Sequence, residues 1–192
     1  MRIISGRYRG RLLPGPAGTG VRPATDKVRG AIFNILQNRL DLDGIDVLDL
    51  FAGTGSLGFE AISRGARSVT FVEDDRAAVG DIRQNATLLG CGAACEIIRE
   101  DAVGFLSRRS GIFGLVFADP PYAFGRIGEL PGLILSTGHL GPEGYLIIEH
   151  QRGAEFPGLP PGVKNFTRTF GSTELTFFHL QEEDTATDRT SE

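Results

Sequence analysis

The sequence lacks several features that would mark particular classes of protein. It has no tryptophan and only two cysteines among 192 residues, and the three histidines lie far from the cysteines along the chain. Two cysteines cannot build a disulfide framework, so we interpret Cys91 and Cys95 as small hydrophobic residues and expect no metal site. No apolar run approaches the roughly 18 to 20 residues that cross a bilayer, and the first residues contain no apolar signal core. These absences predict a soluble, cytoplasmic protein.

Charge is unevenly distributed along an otherwise ordinary composition. The chain is 41% hydrophobic and 23% charged, which is typical of one globular domain. Its net charge is −4, yet residues 1–30 carry +6 and residues 181–192 carry −4. A basic head before an acidic body suggests either a polyanion-binding segment or a solvated arm. The acidic tail has almost no apolar residues, and we expect it to be disordered.

The middle of the chain alternates buried strands with amphipathic helices. Apolar strands are predicted at 45–51, 68–73, 95–99, 114–118 and 145–148, with helical segments between the earlier ones. This alternation favours an α/β fold with a parallel sheet covered on both faces. Val163–Thr169 and Leu175–Leu180 have only a turn near Gly171 between them, which predicts an antiparallel hairpin at the edge of the sheet.

The head predicts a small hairpin followed by a helix. Residues 2–13 consist of two strand-like stretches around glycines, and a segment rich in proline and glycine follows. Thr25 can cap a helix whose apolar stripe runs from Val28 to Leu36, and this helix should pack on the main domain. We therefore divide the chain into a basic N-terminal extension at 1–40, a main domain at 41–180 and a tail at 181–192.

A glycine-rich loop follows the first strand of the main domain. Residues 49–58 read DLFAGTGSLG, which contains G-x-G-x-x-G, a pattern that is weak alone and usually indicates a dinucleotide site. Asp49 ends the strand four residues before Gly53, and an uncompensated carboxylate there would disfavour a pyrophosphate. S-adenosylmethionine carries a cationic methionine portion and no phosphate, so it suits this loop better. Gly53 and Gly55 would let the backbone approach such a ligand closely.

Two further acidic residues follow neighbouring strands. Glu73 ends the second strand, where a carboxylate can accept the hydroxyl groups of a ribose, although NAD sites use an acid at a similar place. Asp101 follows the third strand and could accept the amino group of an adenine, while the backbone of Ala102 could donate to the ring. Each acid could instead be a helix N-cap. Three acids at three strand ends make capping alone an insufficient explanation.

The fourth strand ends in a more specific motif, Asp119-Pro120-Pro121-Tyr122. Two prolines in series fix the direction of the preceding carbonyl groups. The Asp119 carboxylate and the Pro120 carbonyl could accept both N–H bonds of a nucleobase amino group, which would aim the nitrogen lone pair at a methyl donor. Tyr122 would stack on the base. Asp119 could then take the released proton, although its loss to water is equally compatible.

These motifs resemble those of class I S-adenosylmethionine-dependent methyltransferases that act on exocyclic amino groups, with D-x-F-x-G-x-G spanning Asp49 to Gly55 and including Phe51. The head sequences RIISGRYRGR at 2–11 and VRPATDKVR at 21–29 resemble the bacterial RsmD family. That resemblance runs from residue 2 to about 180. It implies methylation of guanine N2 in small-subunit ribosomal RNA, free or in an assembling particle. It also implies a Rossmann-like seven-stranded sheet, mostly parallel with the last strand antiparallel.

The resemblance also implies that residues 41–180 are the methyltransferase domain and that the basic extension at 1–40 helps to hold RNA. The candidate RNA contacts are Arg7, Arg9, Arg11, Arg22, Thr25, Lys27 and Arg29. Gly30 departs from the family pattern, which has an acid after Val-Arg.

Three other functions stay open at this stage. The reacting motif would equally serve adenine N6 or cytosine N4 of DNA. A non-catalytic RNA-binding assembly factor could retain the cofactor fold, and a nicotinamide dehydrogenase rests on the glycine pattern alone.

Overall fold

The computed structural model describes residues 1–15 and 26–180, which form one α/β unit. The helices are α1 (Asp26–Leu36), α2 (Ser56–Ser63), α3 (Arg76–Leu89), α4 (Ala102–Arg108) and α5 (Leu130–Ser136). The strands are β1 (Asp46–Leu50), β2 (Ser68–Glu73), β3 (Cys95–Arg99), β4 (Phe113–Ala118), β5 (Leu140–Gln151), β6 (Val163–Phe170) and β7 (Thr173–Leu180). None of the helices described is long and apolar enough to cross a membrane.

All seven strands belong to one sheet, in the order β3-β2-β1-β4-β5-β7-β6. The strands from β3 to β5 are parallel, and β7 is antiparallel to both of its neighbours. The prediction of a mostly parallel sheet whose last strand is antiparallel is therefore confirmed. The order reverses between β1 and β4, and the crevice beyond their carboxyl ends is where ligands bind in open α/β sheets.

Alternate residues of the strands point into two hydrophobic clusters, one on each face of the sheet. The first cluster contains Val47, Phe71 and Phe117 together with side chains of α1, α2 and α3. The second contains Leu48, Val72 and Val116 together with side chains of α4 and α5. Strands buried on both faces explain why β1, β2 and β4 are nearly continuous apolar runs.

The head is built into the first of these clusters. Ile3 and Leu13 are buried there beside Ile32 and Phe33 of α1, and the Phe33 and Phe117 rings meet edge to face with centroids 5.7 Å apart. The predicted hairpin is reduced to an isolated antiparallel bridge between Arg2 and Leu12. Four backbone hydrogen bonds still join its two halves, whereas the N–H groups of Ile4, Ser5, Arg7 and Tyr8 donate to Glu60 and Ser63 of α2. We call residues 1–14 the strap.

Some segments differ from the sequence-based expectations or lie outside the described residues. The sequence pattern does not predict helix α5, because its apolar residues are interrupted by Pro131 and Gly132, and β5 begins five residues earlier than its apolar run at Tyr145. Thr25 as helix cap, Arg22 and the acidic tail lie outside residues 1–15 and 26–180.

Candidate functional site

The glycine loop joins β1 to α2, and glycine is required at its three positions for different reasons. Gly53 and Gly55 have φ values of 56° and 79°, a left-handed conformation that favours glycine. Gly58 lies in the first turn of α2, and a Cβ atom there would lie 2.3 Å from the Phe71 ring of β2. The first two glycines therefore shape the loop, whereas Gly58 lets α2 pack closely on the sheet.

Asp49 lies beneath this loop and not at its surface. Its side chain is only 2% exposed, and Oδ2 accepts the Gly58 N–H at 2.9 Å. Burial raises the pKa of Asp49 to about 8, and the Glu73 charge adds to this effect. The expectation of an uncompensated surface charge at Asp49 is thus not met, because this carboxyl is buried and holds the start of α2.

Glu73 links the glycine loop to the end of β2. Its Oε2 accepts the Gly53 N–H at 2.8 Å and its Oε1 accepts the Asp75 N–H at 2.9 Å. Partial burial raises the pKa of Glu73, and the two backbone hydrogen bonds oppose that rise. Each carboxylate oxygen has a second lone pair, so both oxygens can still accept a hydroxyl group while they fix the loop.

Phe51, between β1 and the glycine loop, has an unusual backbone conformation. Its φ of 57° is the one positive value among the non-glycine residues described. Its ring packs edge to face against Phe124, with centroids 5.1 Å apart. Backbone conformations of this kind are common at ligand sites. The contact with Phe124 holds the start of the glycine loop against the segment that follows Asp119.

Asp101 has the capping role that the sequence allowed. Its Oδ1 accepts the Gly104 N–H at 2.8 Å at the start of α4, and its side chain is exposed. Ala102, the first residue of that helix, is buried. Asp101 remains at the correct edge of the sheet for an adenine contact, but its position alone is explained by capping.

The reacting motif lies beside the glycine loop. Ala118 pairs with Leu50 of β1, so Asp119 follows β4 at the level where Phe51 follows β1. Pro120 is buried, Pro121 is exposed, and both follow trans peptide bonds.

Tyr122 is 55% exposed at the mouth of the crevice. Its hydroxyl lies 3.3 Å from Oγ1 of Thr173 at the start of β7. The motif therefore offers one acid inside the crevice and one aromatic ring at its opening.

A second acid, Glu149, lies next to Asp119. Ala118 pairs with Ile148 of β5, so the two acids follow at the same level of adjacent strands and on the same face. Burial raises the pKa of Asp119 well above its usual value, and the charges of Glu149 and Asp49 raise it further. Glu149 is not among the residues predicted from the sequence, although it follows the apolar run Leu146–Ile148 just as the other acids follow their strands.

The head residues predicted to hold RNA divide into exposed and buried groups. The side chains of Arg7, Arg9, Arg11 and Lys27 are exposed. Arg29 is fully buried, and its Nη2 donates to the Arg2 carbonyl at 2.5 Å and to Asp26 at 2.8 Å. The prediction that Arg29 contacts RNA is therefore wrong, because this guanidinium links α1 to the head inside the protein.

Backbone contacts fix the direction in which the strap crosses α2. The Arg7 N–H donates to the Ser63 carbonyl at the end of that helix, and a Cβ atom on Gly6 would overlap the same carbonyl oxygen. At the other end of the strap, the Pro14 carbonyl accepts from Asn85, whose amide also binds the Thr54 carbonyl in the glycine loop. Ser63 lies seven residues after Ser56, where α2 begins. The backbone of Arg7, bonded to Ser63, is therefore about 10 Å along this helix from the end of the glycine loop.

The side chains around the crevice fit a ligand with hydroxyl and cationic groups. The glycine loop at 49–58 carries no lysine or arginine, and Glu73, Asp74 and Asp101 follow the neighbouring strands. An edge of the sheet with acidic side chains and no basic ones in the glycine loop favours the ribose hydroxyls and the cationic methionine portion of S-adenosylmethionine over a pyrophosphate. Among residues 1–15 and 26–180, no group of three or more acidic, histidine or cysteine side chains is arranged to hold a metal ion.

Comparisons with known proteins agree with this arrangement. The family described as "Conserved hypothetical protein 95" matches residues 1–179. The Escherichia coli protein "Ribosomal RNA small subunit methyltransferase D" is 38% identical over 160 residues, covering 83% of this chain and 79% of that protein. The Haemophilus influenzae protein of the same name is 36% identical over 155 residues, covering 79% of each chain. A solved Escherichia coli structure superimposes with a TM-score of 0.84 and 32% identity, covering 94% of this chain and 98% of that one.

Proposed function

This chain belongs to the Conserved hypothetical protein 95 family, the RsmD family, and from that premise we propose that it is an S-adenosylmethionine-dependent methyltransferase of small-subunit ribosomal RNA. We further propose the N2 amino group of a guanine as the acceptor. The observation that carries the proposal is the position of Asp119–Tyr122 beside the glycine loop at the switch point of the sheet. Relatives named as ribosomal RNA methyltransferases, matched over most of their length, support it.

The cofactor would lie across the carboxyl ends of β1, β2 and β3 and supply an activated methyl group. Gly53 and Gly55 would allow the backbone to approach it, and Phe51 would pack beside it. The Glu73 carboxylate would accept the ribose hydroxyls. Asp101 and Ala102 would contact the adenine. Asp49 would support the cofactor indirectly, because its hydrogen bond from the Gly58 N–H holds the loop and the first turn of α2 in place.

The reacting motif would hold the acceptor base. The Asp119 carboxyl and the Pro120 carbonyl accept the two amino hydrogens, and Pro121 restricts the direction of that carbonyl. The exposed Tyr122 ring stacks on a base flipped out of the RNA. Because burial and two neighbouring acids raise the pKa of Asp119, this carboxylate takes up a proton more readily than an ordinary one.

Replacing Asp119 tests this assignment. We expect Asp119→Ala to lower kcat for methyl transfer to small-subunit ribosomal RNA by about 1,000-fold, since it removes an acceptor aimed at developing positive charge. Asp119→Asn keeps a carbonyl acceptor and should retain much more activity. Asp81→Ala on α3 is the matched control.

Transfer of tritium from labelled cofactor measures activity, and mass spectrometry of the digested RNA identifies the methylated nitrogen. Undiminished transfer by Asp119→Ala would contradict the proposed role. Methylation of adenine or cytosine would contradict the guanine assignment alone.

A further inference from the structure

The strand at one edge of the sheet, β6, is positively charged, although the whole chain has a net charge of −4. It reads VKNFTRTF, with two basic residues and no acidic one. Lys164, Phe166 and Arg168 alternate along it and therefore share one face. Arg39, which follows α1, reaches the same place. We call these four residues the β6 basic surface.

The two arginines of this surface are held against an aromatic ring. The guanidinium carbons of Arg39 and Arg168 lie 5.1 Å and 5.0 Å from the centroid of the Phe166 ring. That ring stacks in parallel on the buried Phe177, with centroids 4.8 Å apart. Arg39 Nη1 donates to the Ile35 carbonyl at 3.4 Å and Arg168 Nη1 donates to the Thr167 carbonyl at 2.9 Å. The ring contact and this one bond restrict each guanidinium and leave its other N–H groups for a ligand.

The positive charges of the surface are not neutralised within the protein. Arg39, Lys164 and Arg168 are exposed, and over residues 1–15 and 26–180 no carboxylate oxygen lies within 4 Å of their charged nitrogens. Some exposed arginines elsewhere are paired, whereas others, such as Arg76 and Arg83, form no salt bridge with a described residue either. Arg67, Arg108 and Arg126, for example, each form a salt bridge with an aspartate or glutamate.

Sheet register brings Arg168, at one end of this surface, close to the reacting motif, whereas Lys164 pairs with His179 at the level of Tyr145, four residues farther from it. Arg168 pairs with Leu175, and Leu175 pairs with Glu149, which lies beside Asp119 on the adjacent strand. Paired residues of a sheet point to the same face, so Arg168 and Asp119 lie on one face and at one level. Three strand spacings separate their backbones by about 14 Å. A nucleic-acid strand of a few nucleotides covers that distance.

We infer that the β6 basic surface binds phosphates of the substrate RNA next to the flipped base, so that RNA contacts extend beyond the head to the far edge of the sheet. The inference rests on the proposed function for the identity of the polyanion. Charge complementarity selects RNA, since planar guanidinium groups and an ammonium group match phosphate oxygens.

Removing two charges from β6 tests the inference. The double variant Lys164→Gln/Arg168→Gln should raise the Kd for a small-subunit ribosomal RNA transcript about tenfold at moderate salt. The log–log dependence of affinity on salt should become shallower by about 0.7 for each phosphate that the variant no longer neutralises. The KM for RNA should rise, while kcat and the Kd for S-adenosylhomocysteine stay unchanged. Lys164→Arg/Arg168→Lys keeps the charge and should recover most of the binding.

The matched control is Arg76→Gln/Arg83→Gln, which removes two exposed charges from α3, near the other end of the sheet, where neither arginine forms a salt bridge with a described residue. Fluorescence anisotropy measures binding, and thermal unfolding checks that all variants fold. Equal RNA affinity and salt slope in the β6 variant and the wild type would overturn the inference, and so would an equal loss of affinity in the control. Methyl transfer by the wild type is scored separately. If the wild type transfers no methyl group but the β6 variant binds RNA weakly, the proposed function fails and the surface stands.

Discussion

Glu73 ends β2 and Asp101 follows β3, and their carboxylates accept backbone N–H groups of the glycine loop, of Asp75 and of the start of α4. Asp119 follows β4 and Glu149 lies beside it within β5, where the charge of Glu149 adds to the effect of burial in raising the pKa of Asp119. On the side of the crevice at β2 and β3, which we call the cofactor half, the acids are thus held in place by hydrogen bonds to the backbone. The side at β4 and β5, which we call the reacting half, contains an acid whose pKa is raised by burial and by neighbouring acids, which suits a region where charge moves during a reaction.

The difference between the two halves predicts that their acids fail in different ways when they are replaced. An acid of the cofactor half should affect ligand affinity and local stability. An acid of the reacting half should affect turnover, as described for Asp119.

The largest effect within the cofactor half is expected for Glu73→Ala. This change removes the acceptor proposed for the ribose hydroxyls and releases the N–H groups of Gly53 and Asp75. The Kd for S-adenosylhomocysteine should rise about 100-fold, or about 2.7 kcal/mol, while RNA affinity stays unchanged. Calorimetric titration measures the first quantity and anisotropy the second.

Glu143→Ala, at an exposed position near the opposite end of the sheet, is the control for this variant. Wild-type cofactor affinity in Glu73→Ala would show that the two halves do not divide their roles as described.

A smaller effect, visible only as a pH dependence, is expected for Asp49→Asn. The pKa of Asp49 is about 8 in the folded protein against 3.8 for an ordinary aspartate. Between these values the folded state binds a proton that the unfolded state has lost, so this group makes the protein less stable as pH rises from about 4 to about 8. Asparagine can still accept the Gly58 N–H and does not titrate.

The stability of Asp49→Asn relative to the wild type should therefore increase with pH, by on the order of 4 kcal/mol between pH 5 and pH 8. Urea unfolding at several pH values measures this. A difference that stays constant with pH would mean that Asp49 is ionised throughout, like an exposed acid.

The smallest effect is expected for Asp101→Ala. Loss of the N-cap of α4 should reduce the free energy of unfolding by about 1 kcal/mol. Any adenine contact adds a modest rise in the Kd for S-adenosylhomocysteine. Asp75→Ala, which removes the corresponding cap of α3, is the matched control. If both variants lose stability and neither loses cofactor affinity, Asp101 is a cap alone.

Local sequence patterns were sufficient for much of the fold. The alternation of apolar strands and helices predicted the parallel sheet, and the absence of a helical segment between Val163–Thr169 and Leu175–Leu180 predicted the terminal hairpin. These features depend on periodicity and on turn residues within a few positions. The same kind of pattern failed for α5, because Pro131 and Gly132 interrupt it.

The sequence by itself determined which residues end the strands at the crevice: the glycine loop, Glu73 and the motif from Asp119 to Tyr122. Strand order and register follow from hydrophobic pattern and chain connectivity, so these groups meet at one edge. Only the tertiary structure decided how each charge behaves. Arg29 is buried, donating to the Arg2 carbonyl and to Asp26 and lying beside Glu60, and the pKa of the buried Asp49 is raised where its carboxyl holds the start of α2. Burial and charge neutralisation depend on neighbours that are distant in sequence, and composition and periodicity carry no information about them.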